Sequence, residues 1–206
     1  MKDQEEKAAK ALQAVPFFTE LPREEITELA GLLVMRRFSS GQVIFHHGDP
    51  GGLLYIISQG KVKISYSTQD GQEALLAILG AGDFFGELAL LDDSPRSATA
   101  EALESTETLT LHREDFRHYL SANPDFAMHV LQTMAKHIRR LNSQLSDIFF
   151  LDLPGRLART LLRLADEHGK DVDDCILIDL ALTQTDLAEM TGATRVSINK
   201  TLGRFR

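Results

Sequence analysis

Seven apolar residues in the second half of the chain, Ala127, Leu131, Met134, Ile138, Leu141, Leu145 and Ile148, follow one another at alternating steps of four and three. Such steps keep side chains on one face of a helix. The stripe is narrower than the arc a core-facing helix usually buries, and it matches the a and d positions of a two-stranded coiled coil. Asn123 and Pro124 supply a capping residue and a first-turn proline at its start, and Asp152-Leu153-Pro154 breaks it at the end. The spacing predicts a helix of roughly 40 Å that joins two copies of the chain as a homodimer. The competing arrangement packs the same stripe on its own chain.

The period changes ahead of that helix. Ile26, Leu29, Ala30 and Leu33 repeat with helical spacing behind Pro22, Glu24 and Glu25. From Arg36 to about His112 the runs QVIFHH, LLYIIS, KVKISYS, EALLAIL, SATAEAL and TETLTLH are separated by glycine-marked turns. In KVKISYS, Val62, Ile64 and Tyr66 alternate with Lys63 and Ser65, the pattern of a half-buried antiparallel strand. Many short strands between regular turns predict a sandwich or jelly-roll barrel. A short helix is expected around Phe116 and Leu120. Past Asp152, Leu157, Leu161, Leu162 and Leu164 mark another helix, DEHGKDVDD reads as an acidic surface loop, and CILIDL as a short buried strand.

The 206 residues suit two small domains better than one large one. A single cysteine, Cys175, forms no internal disulfide and cannot ligate an iron–sulfur cluster, which leans towards a reducing cytoplasm. No apolar run approaches the ~20 residues of a membrane span, and the acidic start MKDQEE is unlike a secretory signal. The expected location is cytoplasmic, with no membrane partner. The net charge of −8 hides an asymmetry, because Arg195, Lys200, Arg204 and Arg206 close the chain with no acid among them.

That basic end has the layout of a DNA reader. Thr183 can cap a helix that turns Leu187 and Met190 inwards, and Gly192 permits the left-handed backbone of a tight turn. Thr194 then caps a second helix, with Val196, Ile198 and Leu202 among the candidates for burial. Arg195 offers the bidentate match to guanine O6 and N7. Thr194, Ser197, Asn199 and Lys200 suit phosphate or secondary contacts.

A second constellation sits among the strands: Gly86-Glu87-Leu88-Ala89-Leu90-Leu91, then Asp92-Asp93-Ser94-Pro95-Arg96-Ser97-Ala98. A short helix starting near Gly86 would aim N–H groups at an anion. Arg96 presents a planar fork to a phosphate, Ser97 adds a hydroxyl, and Glu87 accepts from a sugar hydroxyl. A carboxylate beside an arginine suits a sugar phosphate better than a bare ion. His46 and His47 adjoin on one strand run and so face opposite sides, and the other histidines are scattered, so no metal site is expected.

Residues of about 16–206 resemble the cyclic AMP receptor protein and fumarate–nitrate regulator (CRP/FNR) family. The DNA end carries that likeness in Asp186, Leu187, Ala188, Gly192, Thr194, Arg195, Ser197 and Asn199, and the sensor end in the run from Gly86 to Ala98. The resemblance implies that Glu87 takes a ribose 2′-hydroxyl, and that Arg96, Ser97 and the N–H groups of Leu88 and Ala98 hold a cyclic phosphate. Leu141 and Asn142 fall where a threonine–serine pair reaches the adenine; only Asn142 can bond a base. Val196 stands where the family commonly has a glutamate that accepts from cytosine N4. The family's two-strand wing would follow the recognition helix and is not among these residues.

The expected fold is α+β: N-terminal helices and a ligand-sensing β jelly-roll over 1–123, a dimerisation helix over 124–151, and a winged helix-turn-helix-type domain over 152–206. The expected function is a non-enzymatic, effector-controlled transcription regulator. Its partners would be a palindromic DNA operator, a second copy, RNA polymerase and a small-molecule effector. No cofactor is required; a cyclic nucleotide, first cyclic AMP, is the expected effector. The alternatives are the same regulator with another ligand or none, a sensor module acting on a partner protein, and a metal-dependent barrel enzyme.

Overall fold

A computed structural model describes residues 9, 12, 23–68 and 70–205. Pro22 and the segment before it, apart from Ala9 and Leu12, lie outside the described residues. The chain divides into two compact units, the first comprising residues up to 71 and 76–130, the second 72–75 and 131–206.

Helix α1 (Arg23–Leu32) opens the first unit and buries Ile26, Leu29 and Ala30 as its spacing requires, with Leu33 buried just beyond its end. Eight strands follow: β1 (Val34–Phe38), β2 (Val43–Phe45), β3 (Leu53–Gln59), β4 (Val62–Ser67), β5 (Glu73–Leu79), β6 (Phe84–Phe85), β7 (Thr99–Ala102) and β8 (Thr106–His112). They form two four-stranded sheets in the orders β1-β8-β3-β6 and β2-β7-β4-β5. Neighbours far apart in sequence, such as β1 with β8 and β2 with β7, pair antiparallel, as in a jelly roll. All six expected strand runs are strands. VMRRF at β1 and the two-residue β6 were not among them. The core joins Tyr55, Ile57, Val62, Leu79, Phe85 and Ala100, and Tyr55 stacks on Phe85 with centroids 5.1 Å apart.

Two local expectations change. Tyr66 shares the pleat face of Val62 and Ile64, but it stands past the edge of the core, exposed, with its ring edge-on to His47 at 4.8 Å, while Ser65 is buried. Strand β2 ends at Phe45, so His46 and His47 lie in the following turn rather than on opposite faces of a strand. There the His46 N–H donates to Asp49 Oδ2 and the His47 N–H to Thr99 Oγ1.

Four-residue helix α2 (Leu88–Leu91) follows β6, and α3 (Arg113–Ala122) follows β8. Helix α4 runs from Pro124 to Phe150, the expected span, and no helix of the described residues is long and apolar enough to cross a membrane. Asn123 caps differently from expectation, since its side-chain amide donates back to the Tyr119 carbonyl of α3 at 3.1 Å.

In the second unit, Asp152 caps α5 (Leu153–His168) by accepting the Gly155 N–H at 3.0 Å. Arg140 of α4 lies 3.3 Å from Glu167 of α5, and Asp147 lies 3.8 Å from Arg159. The index rises along α4 while it falls along α5, so the helices run antiparallel. The stretch expected as an acidic loop and a buried strand is an exposed hairpin of β9 (Gly169–Val172) and β10 (Cys175–Ile178). Its turn carries Asp173 in a left-handed conformation. Helices α6 (Gln184–Thr191) and α7 (Arg195–Phe205) close the unit.

Candidate functional site

The motif in the first unit is built around a buried arginine. Arg96 is 4% exposed and Glu87 6%, unusual for charged groups unless they have a task or a partner. Arg96 donates through Nη1 to the Gly86 carbonyl at 2.7 Å and through Nη2 to the Leu53 carbonyl at 2.8 Å. Its guanidinium lies 4.2 Å from the Phe45 ring centroid and 5.7 Å from that of Tyr55. Its Nε is buried without a hydrogen-bond partner. A planar cation held by two carbonyls and two aromatic rings, with a donor unused, fits an anion that supplies the missing acceptor.

Gly86 makes this possible. Its φ of +83° suits glycine, and a Cβ there would sit 2.4 Å from Arg96 Nη1. The backbone then enters α2, with the Glu87 carbonyl accepting the Leu90 N–H at 2.9 Å. Helix α2 starts at Leu88, near Gly86 as expected. Leu88 and Ser97 are exposed and Ala98 is buried. Burial pushes the Glu87 carboxyl above the ordinary carboxylate range, countered by its own backbone N–H and by the Arg96 charge. Burial likewise lowers the Arg96 pKa, opposed by Tyr55 and Glu87.

A carboxyl with a raised folded pKa costs folding free energy once ionised, and that cost fades as pH falls through the raised value. Glu87→Gln is therefore expected to raise the melting temperature of the nucleotide-free protein at neutral pH, by about 2–4 °C per kcal/mol relieved. The gain should shrink in acid, where wild-type Glu87 is itself protonated. Calorimetry at the two pH values checks this; a lower melting temperature of the variant at neutral pH would contradict it.

The basic end forms two helices at a tight turn. Thr183 caps α6 in a capping box with Asp186, and Gly192 ends that helix in the left-handed conformation. Arg156 of α5 donates from Nε to the Thr191 carbonyl at 3.0 Å and from Nη1 to that of Leu151 at 3.0 Å, tying the start of α5 to the end of α6. Leu187 is buried, but Met190 only partly, the other buried positions of α6 being Ala188 and Thr191.

Thr194 Oγ1 caps α7 by accepting the Ser197 N–H at 3.2 Å, and it lies 2.9 Å from Ser197 Oγ. Asn199 Oδ1 accepts from Gln184 Nε2 at 3.3 Å. Val196 is 78% exposed, against its expected burial; Ile198 and Thr201 are buried and Leu202 partly so. Two helical steps separate Val196 from Ile198, roughly 200° around the axis, which puts the valine opposite the core. Arg195, Val196, Asn199, Lys200 and Arg204 are all exposed. Val196 thus belongs to the face that carries the basic groups.

Leu141 and Asn142 are exposed on α4 within the second unit, whereas the arginine motif lies wholly in the first. In the single chain Leu131, Ile138, Leu141, Leu145 and Ile148 are between 53% and 62% exposed. Sequence reasoning missed Phe45, Tyr55 and Leu53, which hold Arg96 from distant strands, and Gln184 and Arg156 in the second unit. No local motif marks them.

A jelly roll with a buried, incompletely paired arginine and a helix-turn-helix with an exposed basic face on one chain define a ligand-responsive DNA-binding regulator. Residues 35–123 match the cyclic nucleotide-binding domain family, and residues 155–206 the Crp-like helix-turn-helix domain family. The chain is 38% identical over 168 residues to a CRP-like cAMP-activated global transcriptional regulator of Mycobacterium tuberculosis, covering 82% of this chain and 75% of that one. It is 30% identical to an anaerobic regulatory protein of Bacillus subtilis, over 95% and 83% of the two chains. A solved structure of the c-di-GMP responsive global regulator CLP of Xanthomonas campestris superposes with a TM-score of 0.75 at 23% identity, over 89% and 91%, which shows the shared fold. The chain belongs to the CRP/FNR family of transcription regulators.

Proposed function

We propose that a cyclic nucleotide, cyclic AMP first, binds at Arg96 and controls DNA binding by a homodimer, with no cofactor required. The buried, incompletely paired Arg96 carries this reading. Arg96 and Ser97, with the N–H groups of Leu88 and Ala98, take the cyclic phosphate; Gly86 allows the close approach, and Glu87 accepts the ribose hydroxyl. Asn142 contacts the base, and Leu141 keeps the seam apolar. Titration calorimetry with cyclic AMP, cyclic GMP and cyclic di-GMP tests the effector; no heat above dilution with any of them would sink it.

The homodimer forms along the α4 stripe by a two-fold contact, residues 1–123 serve as sensor and 152–206 as DNA reader. A bound nucleotide shifts the population of α4 arrangements towards one that sets two α7 helices on successive major grooves of a palindromic operator. The protein acts in the cytoplasm with RNA polymerase as a partner. The other reading, a different ligand or none, is favoured by Leu141, which cannot bond a purine.

On the DNA side Arg195 reads guanine, Lys200 anchors phosphate, and Thr194, Ser197 and Asn199 set the helix and add secondary contacts. Val196, exposed beside Arg195, offers only apolar contact to its base pair. Arg195→Ala is expected to cost ~1–3 kcal/mol at one position per half-site, whereas Lys200→Ala weakens all sequences and lowers the salt slope. Selection from randomised DNA separates the two. An even loss across sequences for Arg195→Ala would make it a phosphate anchor.

A further inference from the structure

Helix α2 has only four residues, so its last carbonyls lack partners within the helix. They are taken by two arginines one turn apart on α3. Arg117 donates from Nε to the Leu90 carbonyl at 2.7 Å and from Nη2 to that of Leu91 at 3.4 Å. Arg113 donates from Nη2 to the Ala89 carbonyl at 3.0 Å and also to that of Gly51. Both guanidiniums meet Asp93, the residue two past the end of α2: Arg117 Nη2 lies 2.9 Å from Oδ2, and Arg113 Nη1 bonds Oδ1. Asp93 holds a left-handed φ of +60°, which turns its carboxylate back towards α3. Gly51 leaves room for this contact, since a Cβ there would overlap the Ala89 methyl.

We propose that Asp93, Arg113 and Arg117 are positioning residues that fasten α2 to α3, so that the two helices respond to an effector as one body. This rests on the effector reading above. Beyond the clamp the path is packed: Phe116 and Tyr119 of α3 meet the Phe126 ring of α4 edge-on, at 6.0 and 4.9 Å. A displacement of α2 is thus handed to the first turn of α4 without a loose joint. The hydrogen bond from Arg117 holds the Asp93 carboxyl below the ordinary carboxylate range. The side chain of Asp93 is 58% exposed, and ion pairs so exposed add little to stability. What the clamp contributes is position.

Amide hydrogen exchange on the whole chain tests this, with Asp93→Gly, where glycine suits the backbone, and Arg117→Ala. Without nucleotide, both variants should exchange roughly fivefold faster at 88–92, with a melting temperature close to wild type. With cyclic AMP, wild type should be protected in α2 and α3, and the variants in α2 alone. Unchanged exchange at 88–92 in both nucleotide-free variants would overturn the proposal, as would α3 protection in the variants equal to wild type. A wild-type chain indifferent to cyclic AMP would count against the effector reading only, and the nucleotide-free comparison would then decide the clamp.

Discussion

Arg96→Ala is expected to weaken cyclic AMP binding by roughly 100- to 1,000-fold, because it removes a buried charge from a charge-assisted contact. The same change leaves the Gly86 and Leu53 carbonyls without their donor and strips a cation from the Phe45 ring, so the melting temperature should fall too. Arg96→Lys separates the two effects. It keeps the charge but cannot span two carbonyls and a phosphate with one planar fork. Calorimetric affinity on protein shown to be folded is the check. Equal affinity in wild type and Arg96→Ala would remove the anion site from Arg96 altogether.

Leu145→Glu is expected to raise the dimer dissociation constant at least about 100-fold, since two carboxylates would face each other across an apolar seam. Leu145 is more than half exposed in the single chain, so the monomer should tolerate the change. Sedimentation at micromolar concentration should then show monomer where wild type shows dimer, and DNA affinity should fall with it. A variant that still sediments as a dimer would place the interface elsewhere.

Much of this architecture was legible because it rests on periodicity. The α4 span and the α1 core residues follow from helical spacing, and the six strand runs from alternation and glycine-marked turns. The α6–α7 turn follows from Gly192 and two capping threonines. Failures came where local pattern and tertiary context part. Apolarity alone predicts burial at Val196, yet helical phase sets it opposite Ile198. The apolar run predicts a buried strand at CILI, yet as one arm of a two-stranded hairpin it leaves Cys175, Ile176 and Leu177 exposed. Tyr66 kept its pleat face but outran the core.

The motif around Arg96 was legible only in part. Glycine, carboxylate, arginine and serine lie close together in sequence and announce an anion. The residues that hold the arginine, Leu53, Phe45 and Tyr55, come from strands that only the folded sheets bring near. Asp93 and its two arginines are likewise 20 and 24 positions apart, a distance at which neither spacing nor charge pattern signals a partner.

Whether an effector at the buried arginine governs sequence-specific DNA binding is tested most directly by selecting from randomised DNA with the chain at fixed salt, with and without cyclic AMP. The expected result is enrichment of two symmetric half-sites centred roughly 34 Å apart, bound at least about fivefold more tightly with nucleotide. In Arg96→Ala, adding cyclic AMP should bring none of this gain. Binding without sequence preference, or an affinity that is the same with cyclic AMP, cyclic GMP, cyclic di-GMP and no nucleotide, would contradict it.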